Sequence, residues 1–464
     1  MTATTGKPAP WEAYLADNED AFFNELVELL RIPSISTSQA HNDETARAAQ
    51  WVADRLKRAG VPIVNIITGY GHPIVHGEWV VDPRKPRVLI YGHYDVQPPE
   101  PLELWDSPAF EPTVRDGKLY ARGAGDMKSQ LVTMIQTVET FAKTAGQPPV
   151  NLIFLFEGEE EIGSPNLPGY VEAAKDRLST DFIISTDAGI SGERLPSLTV
   201  ALKGLGGCQI DIRTGDSDLH SGMYGATVPN ALQVMTKLAA TFHTPDGKVA
   251  VEGFYDKVTP LTEQDRIDIG KAAAEETPLL ESSRAYALWG EAGYTEYERI
   301  FARPTLDING MWGGFTGEGS KTVTPCEGHI KITCRLVPKQ DPLEIVDLIR
   351  AHVAKHIYPG VKWDVSRLPG LAYPFVLERD NKVLQSAAKV LEELYGREPI
   401  YVRSGGSVPI TAVFQQILGA DTVSFAFSEH GSNAHAPNEW FRVSNLAIGR
   451  RGNYLLLEAL GANE

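Results

Sequence analysis

Four short apolar runs punctuate the chain: "RVLIYGHYDV" (87–96), "NLIFLF" (151–156), "DFIIST" (181–186) and "TVSFAF" (422–427). Their apolar residues are continuous rather than alternating. This predicts strands buried on both faces, as in a parallel sheet covered by helices. Between them, apolar residues recur at helical spacing over Asp20–Arg31, which Pro33 ends, over 44–60, which Gly60 closes, and over Ser129–Thr144. Alternating helices and strands predict an α/β fold. From about Leu198 to Tyr373 the pattern changes. "GCQIDIRT" (207–214) and "GHIKITCRLV" (328–337) alternate apolar with polar, the mark of a sheet with one solvated face. Residues 250–305 are rich in charge and helix formers, and the helix–strand style returns after "LAYPFV" (371–376). The expected architecture is an α/β domain of residues 1–199 and 375–464, with a mainly parallel sheet between helices. An α+β domain, residues 200–374, is inserted into it.

Composition narrows the function classes. The chain has 464 residues, 42% of them apolar, enough for more than one core. Its formal net charge of −17 argues against a nucleic-acid partner. No apolar run is long enough to cross a bilayer, so no membrane partner is expected. "MTATTGKPAPWEAY" lacks the basic start and apolar middle of a secretory leader. Three cysteines (Cys208, Cys326, Cys334) with no CxxC pair suit a reducing cytoplasm and argue against a disulfide scaffold or a thiolate zinc site. No HExxH, Walker A, GxSxG or complete dinucleotide fingerprint occurs.

The chemistry gathers where the apolar runs end. "RVLIYG" leads into His93 and Asp95, "NLIFLF" into Glu157, Glu159, Glu160 and Glu161, "DFIIST" into Asp187, and "TVSFAF" towards Glu429, His430 and His435. "ARGAGDMKS" adds Asp126 in a glycine-rich turn that opens a helix. Ligands of open α/β sheets sit beyond the carboxyl ends of the strands. So many carboxylates at one edge repel one another unless divalent cations neutralise them. Imidazole and carboxylate donors without thiolate suit zinc or a neighbouring first-row metal. Taken singly, each residue has an ordinary reading: a surface pair for His93 and Asp95, a solvated face for the glutamates, a helix cap for Asp187, a loop histidine for His435. The joint pattern is the specific signal.

In order along the chain, "YGHYDVQP", "DGKLYARGAGDMKS", "EGEEEIGS", "DLHSG", "GSKTVTP", "CRLVP", "GGSVP" and "NAHAPNEW" resemble the motifs of carnosinase-type cytosolic dipeptidases. These belong to a family of dinuclear metallopeptidases that also includes succinyl-diaminopimelate desuccinylase, acetylornithine deacetylase, aminoacylase and carboxypeptidase G. The resemblance runs from about residue 20 to the C-terminus. It implies two divalent ions per subunit, zinc first and manganese or cobalt as alternatives. It implies His93 and Asp187 on one ion, Glu161 and His435 on the other, and Asp126 between them. Glu160 matches the general base, and Asp95 the residue that orients His93. A cis peptide at Asp126–Met127 is expected on the same ground. His220 matches a histidine that reaches the partner subunit's active site and holds the oxyanion, which implies a homodimer and a lid or dimerisation role for the inserted domain. Arg335 resembles the arginine that grips the substrate carboxylate, with Gly406 and Ser407 beside it. Taken on their own, His220 reads as a surface turn histidine and Arg335 as a strand-face ion pair. Ser129 and Ala188 depart from the glycine and asparagine common in these dipeptidases without removing a ligand.

The expected reaction is hydrolysis of the amide bond of dipeptides or short peptides. A water bridging the two ions is deprotonated by Glu160, which later protonates the leaving amine. The first alternative is an N-acyl-amino-acid deacylase with the same chemistry, and the second is a non-catalytic metal-binding scaffold.

Overall fold

The computed structural model describes residues 8–275, 277–406 and 409–462. The chain divides into two compact units. The first comprises residues 1–200, 377–401 and 413–464, and the second residues 201–376 and 402–412. The short segment 402–412 groups with the second unit, whereas the sequence pattern left it in the first.

The first unit is built on a six-stranded sheet. In chain order its strands are β1 (Ile63–Ile67), β2 (Ile74–Trp79), β3 (Arg87–His93), β4 (Asn151–Glu157), β5 (Phe182–Ser185) and β6 (Thr422–Ser424), and in space they run β1-β2-β4-β3-β5-β6. The four expected strands form its parallel part: β4 and β5 flank β3, and β6 joins β5. Strands β1 and β2 extend it antiparallel. All seven residues of β4 are buried, so both of its faces are covered, as continuous apolar runs require. The run at 422–427 pairs only over its first half, yet Phe425 and Phe427 remain in the core.

The helices follow from their caps and stripes. Residues Asn42–Arg58 bury Ala48, Ala49, Val52, Ala53 and Leu56 along one face, and Gly60 at φ +96° ends the turn. The helix Ser129–Thr144 starts and stops where its spacing predicts. It packs through Phe141, whose ring stacks on Tyr454 of the helix Val443–Ala462 at 4.0 Å. Asn381 caps Lys382–Tyr395 by accepting from Val383 N–H and Leu384 N–H, and Gly396 at φ +69° closes it.

The second unit has a four-stranded antiparallel sheet in the order Asp307–Gly313, Glu327–Leu336, Gly204–Arg213, Lys362–Arg367. Burial alternates along Glu327–Leu336, so one face is buried and the other solvated. Ile210, Ile212, Ile330, Ile332, Cys334 and Leu336 pack under the helices Ala231–Ala239 and Pro342–His356. Cys208 and Cys334 are core residues, and none of the three cysteines is bonded.

Candidate metal centre

Strand β3 ends on His93, which is buried completely. Its Nε2 lies 3.1 Å from Asp126 Oδ1 and 3.9 Å from Asp187 Oδ1. Its Nδ1 faces the Asp95 main-chain oxygen at 3.1 Å and Asp95 Oδ1 at 3.3 Å. A ring held this way at Nδ1 presents Nε2 to a metal. Burial alone would lower the His93 pKa, but Asp126, Asp95 and Asp187 hold it well above the ordinary value.

Asp126 sits in the turn before the helix Ser129–Thr144, and its peptide bond to Met127 is cis, as expected. Its second oxygen, Oδ2, lies 3.1 Å from His435 Nε2, so the two oxygens of one carboxylate face two histidines. His435 Nε2 is also 3.0 Å from Glu161 Oε2. Bonds to Asp126 and Glu161 raise the His435 pKa to about 10. Burial would raise the Asp126 carboxyl, but the two imidazoles hold it below the usual range.

Asp187 and Glu160 complete the cluster. Burial, which outweighs the attraction of His93, pushes Asp187 up to about 7. Glu160 is driven well above the carboxylate range, by burial first and then by Asp187. His93, Asp126 and Glu161 offer donor atoms within 4.8 Å of one another, and so do His93, Glu160 and Asp187. Glu160 therefore stands on the His93–Asp187 side, while Glu161 stands on the His435 side.

The remaining glutamates of the run have structural duties. Glu157 is buried; its Oε1 accepts from Tyr91 OH at 2.8 Å and Ser164 Oγ at 2.7 Å, and burial lifts it to about 8. Glu159 accepts from His72 N–H and the Asn166 amide. Glu429 is taken by Arg442 and Asn445, and the His430 N–H donates to Ile190 O, while His435 is the histidine that reaches Asp126.

The donor set fits divalent cations. Asp126, Glu160, Glu161 and Asp187 converge, and the imidazoles of His93 and His435 lie among them. Oxygen and imidazole donors without thiolate are those of zinc, manganese or cobalt sites.

Three residues inside the quoted motifs support the cluster, and of these only Asp95 is assigned a role from the sequence. Asp95 accepts from Glu160 N–H at 3.3 Å and Glu161 N–H at 3.1 Å, so it fixes their turn as well as His93. Gln97 donates to Glu161 O and Oε2, both at 3.0 Å. Glu439, buried completely, binds the turn that carries Asp126. The main-chain N–H donors that Glu439 binds leave no trace in residue spacing.

The other expected site residues belong to the second unit. His220 is exposed, and its Nδ1 accepts from Gly222 N–H at 3.0 Å, which leaves Nε2–H as an outward donor. Arg335 lies half-buried on the strand Glu327–Leu336, opposite Leu205. Gly406 is exposed, with its N–H on Ser404 Oγ. Ser407 lies outside the described residues.

Residues 89–459 match the sequence profile of Peptidase family M20/M25/M40. The chain is 30% identical to the Cys-Gly metallodipeptidase DUG1 of Candida albicans, over 98% of each chain. It is 29% identical to the human Beta-Ala-His dipeptidase, over 94% of this chain and 90% of that one. Among solved structures it is similar to an M20 family metallo-carboxypeptidase from Sulfolobus solfataricus. That match has a TM-score of 0.77 at 32% identity and covers 95% of this chain and 99% of the other. The histidine–carboxylate cluster at the strand ends and the match over most of the chain lead to one conclusion: this protein belongs to Peptidase family M20/M25/M40.

Proposed function

We propose that this peptide-bond hydrolase is a metal-dependent dipeptidase that uses the cluster at the ends of β3, β4 and β5. The carrying observation is Asp126, whose two oxygens each face a histidine, with Glu160 beside His93 and Asp187. His93 and Asp187 would hold one ion, Glu161 and His435 the second, and Asp126 would be shared. Zinc is the first expectation, and manganese and cobalt accept the same donors. Divalent ions bound there supply Lewis-acid polarisation of the scissile carbonyl and an acidified water.

The chain's own residues do the rest. Glu160 takes the proton of the attacking water and returns it to the leaving amine. Asp95 keeps His93 and the Glu160–Glu161 turn in register. His220 offers Nε2–H to the developing oxyanion, reaching the site of a partner copy in a homodimer. Arg335 receives the substrate's terminal carboxylate through its planar fork, a task the family resemblance extends to Gly406 and Ser407.

The names of the relatives support dipeptides as substrates. The Sulfolobus protein, a metallo-carboxypeptidase by name, favours a second reading: release of the last residue from longer peptides. An N-acyl-amino-acid deacylase remains the third. One panel separates them, with the metal-loaded protein given dipeptides, longer peptides with free carboxyl ends, and N-acetyl and N-succinyl amino acids. The dipeptidase reading requires the highest kcat/KM on dipeptides. A preference for either other class replaces it.

A further inference from the structure

Two chain segments more than 300 residues apart in sequence meet directly behind the cluster. Trp440–Arg442 pairs antiparallel with Lys118–Tyr120, in the register Trp440↔Tyr120, Phe441↔Leu119, Arg442↔Lys118. The pairing continues past the strands, where Ala121 N–H donates to Glu439 O at 3.1 Å. Beyond that point each segment turns and delivers one member of the cluster: Asp126 from the first, His435 from the second.

The Glu439 side chain sits at the fork. Its Oε2 accepts from Arg122 Nη1 at 2.7 Å and Gly123 N–H at 3.0 Å. Its Oε1 accepts from Gly125 N–H at 2.8 Å and Asp126 N–H at 2.9 Å. Successive main-chain N–H groups folded round an oxyanion form a nest, and here the anion is a side chain of the same protein. The turn is shaped to allow this. Gly123 stands at φ +84°, a region other residues rarely adopt. A Cβ on Gly125 would lie 3.1 Å from Ser432 Oγ and 3.1 Å from Trp440 O, so the backbone is packed against the segment that bears Glu439. Both Glu439 and Arg122 are almost fully buried, so their pair is not a surface ornament.

We infer that Glu439 is a positioning residue for the metal centre: its carboxylate moulds the 122–126 turn and fixes the spacing of Asp126 and His435. The inference rests on the metal-dependent reading of the cluster. Glu439 itself offers no oxygen to an ion, because both oxygens are spent on the turn. Its contribution is the position of Asp126, the carboxylate that two ions would share.

The test compares metal binding by wild type, Glu439→Gln, Glu439→Asp and Glu19→Gln. Glu439→Gln keeps the shape but turns an NH2 towards main-chain donors. Glu439→Asp keeps the charge on a shorter arm and serves if the glutamine variant does not fold. Glu19→Gln weakens a different ion pair, that of buried Arg450 with Glu19, away from the cluster, and serves as the structural control. Each protein is stripped of metal, its thermal midpoint recorded, and titrated with zinc against a chromophoric chelator. A parallel sample takes cobalt, whose visible absorption reports ligand geometry. Loss of a residue that orients metal ligands weakens affinity by about 10- to 100-fold. The expected result is a loss of at least about tenfold in zinc affinity for Glu439→Gln, a changed cobalt spectrum, and a smaller loss for Glu439→Asp. Glu19→Gln should lower the thermal midpoint and leave both metal readouts at wild type. Wild-type affinity and spectrum in both Glu439 variants overturn the inference. So does an equal loss of affinity in Glu19→Gln, which would make the effect one of stability alone. If wild type itself takes up no metal, the underlying reading of the cluster falls, and the inference with it.

Discussion

Asp95 holds three members of the candidate centre at once. One carboxylate engages His93 Nδ1 and accepts the N–H groups of Glu160 and Glu161. An asparagine there keeps one oxygen and turns an NH2 against a main-chain donor or the imidazole. Asp95→Asn should therefore weaken metal affinity by about 10- to 100-fold, read by titration of the stripped protein. Unchanged affinity would mean that Asp95 is not an orienting residue. Glu160→Gln should behave in the opposite way. It should bind metal as wild type does and lose about 10²- to 10⁴-fold in kcat, the usual worth of a general base. A variant that keeps both metal and turnover removes Glu160 from the chemistry. At this scale the run "EGEEEIGS" was legible in part. The family resemblance pointed to Glu160 and Glu161, and the structure places both among the clustered donors while Glu157 and Glu159 anchor local structure. Glu439 was not legible, although it lies in a motif quoted for His435. Its partners are mainly backbone N–H groups, which every residue type carries.

At the scale of elements, the parallel strands could be read because both of their faces are buried. Strands β1 and β2 escaped notice for a physical reason. β2 carries His76, buried and bonded to Tyr170 OH, and Gly77, whose missing side chain makes room for Phe154. A buried polar group and a glycine break the apolar signature without breaking the strand. The helix Pro342–His356 supports a prediction on pH. His352 is buried, stacks on Phe242 and His356, and has its Nε2 2.8 Å from Thr241 Oγ1. Burial, with His356 and Lys355 beside it, lowers its pKa from 6.5 to about 4. The unfolded chain then binds a proton that the folded chain refuses. Stability from this residue is present above pH 6.5 and is lost as the pH falls through 4. His76, also lowered to about 4 by burial, acts in the same window from the first unit. His352→Phe, which keeps the stack, should flatten the fall of the urea midpoint between pH 6.5 and 4 without abolishing it. An unchanged slope would show that His352 is not titrating across folding.

At the scale of the whole molecule, the sequence shows a switch from continuous to alternating apolar runs near Leu198. The boundary at 200–201 falls where that switch begins. The grouping of 402–412 with the inserted unit could not be read, because the segment follows a return to helix–strand patterning and carries no alternation of its own. The formal charge of −17 also looks different once the cluster is known. Most of it is ordinary solvated surface, but the carboxylates at the ends of β3, β4 and β5 are buried or half-buried and face one another. That arrangement is costly without a cation and is the strongest physical argument for one. No helix among the described residues is long and apolar enough to cross a membrane.

The most direct test is the rate of dipeptide hydrolysis by chelator-stripped protein as one divalent metal is returned in steps. The account predicts no turnover in the stripped protein and a rise to a plateau as the cluster of His93, Asp126, Glu161, Asp187 and His435 fills. Zinc is tried first, then manganese and cobalt. Hydrolysis that persists at full rate without metal, or that never appears with any of the three, would contradict it.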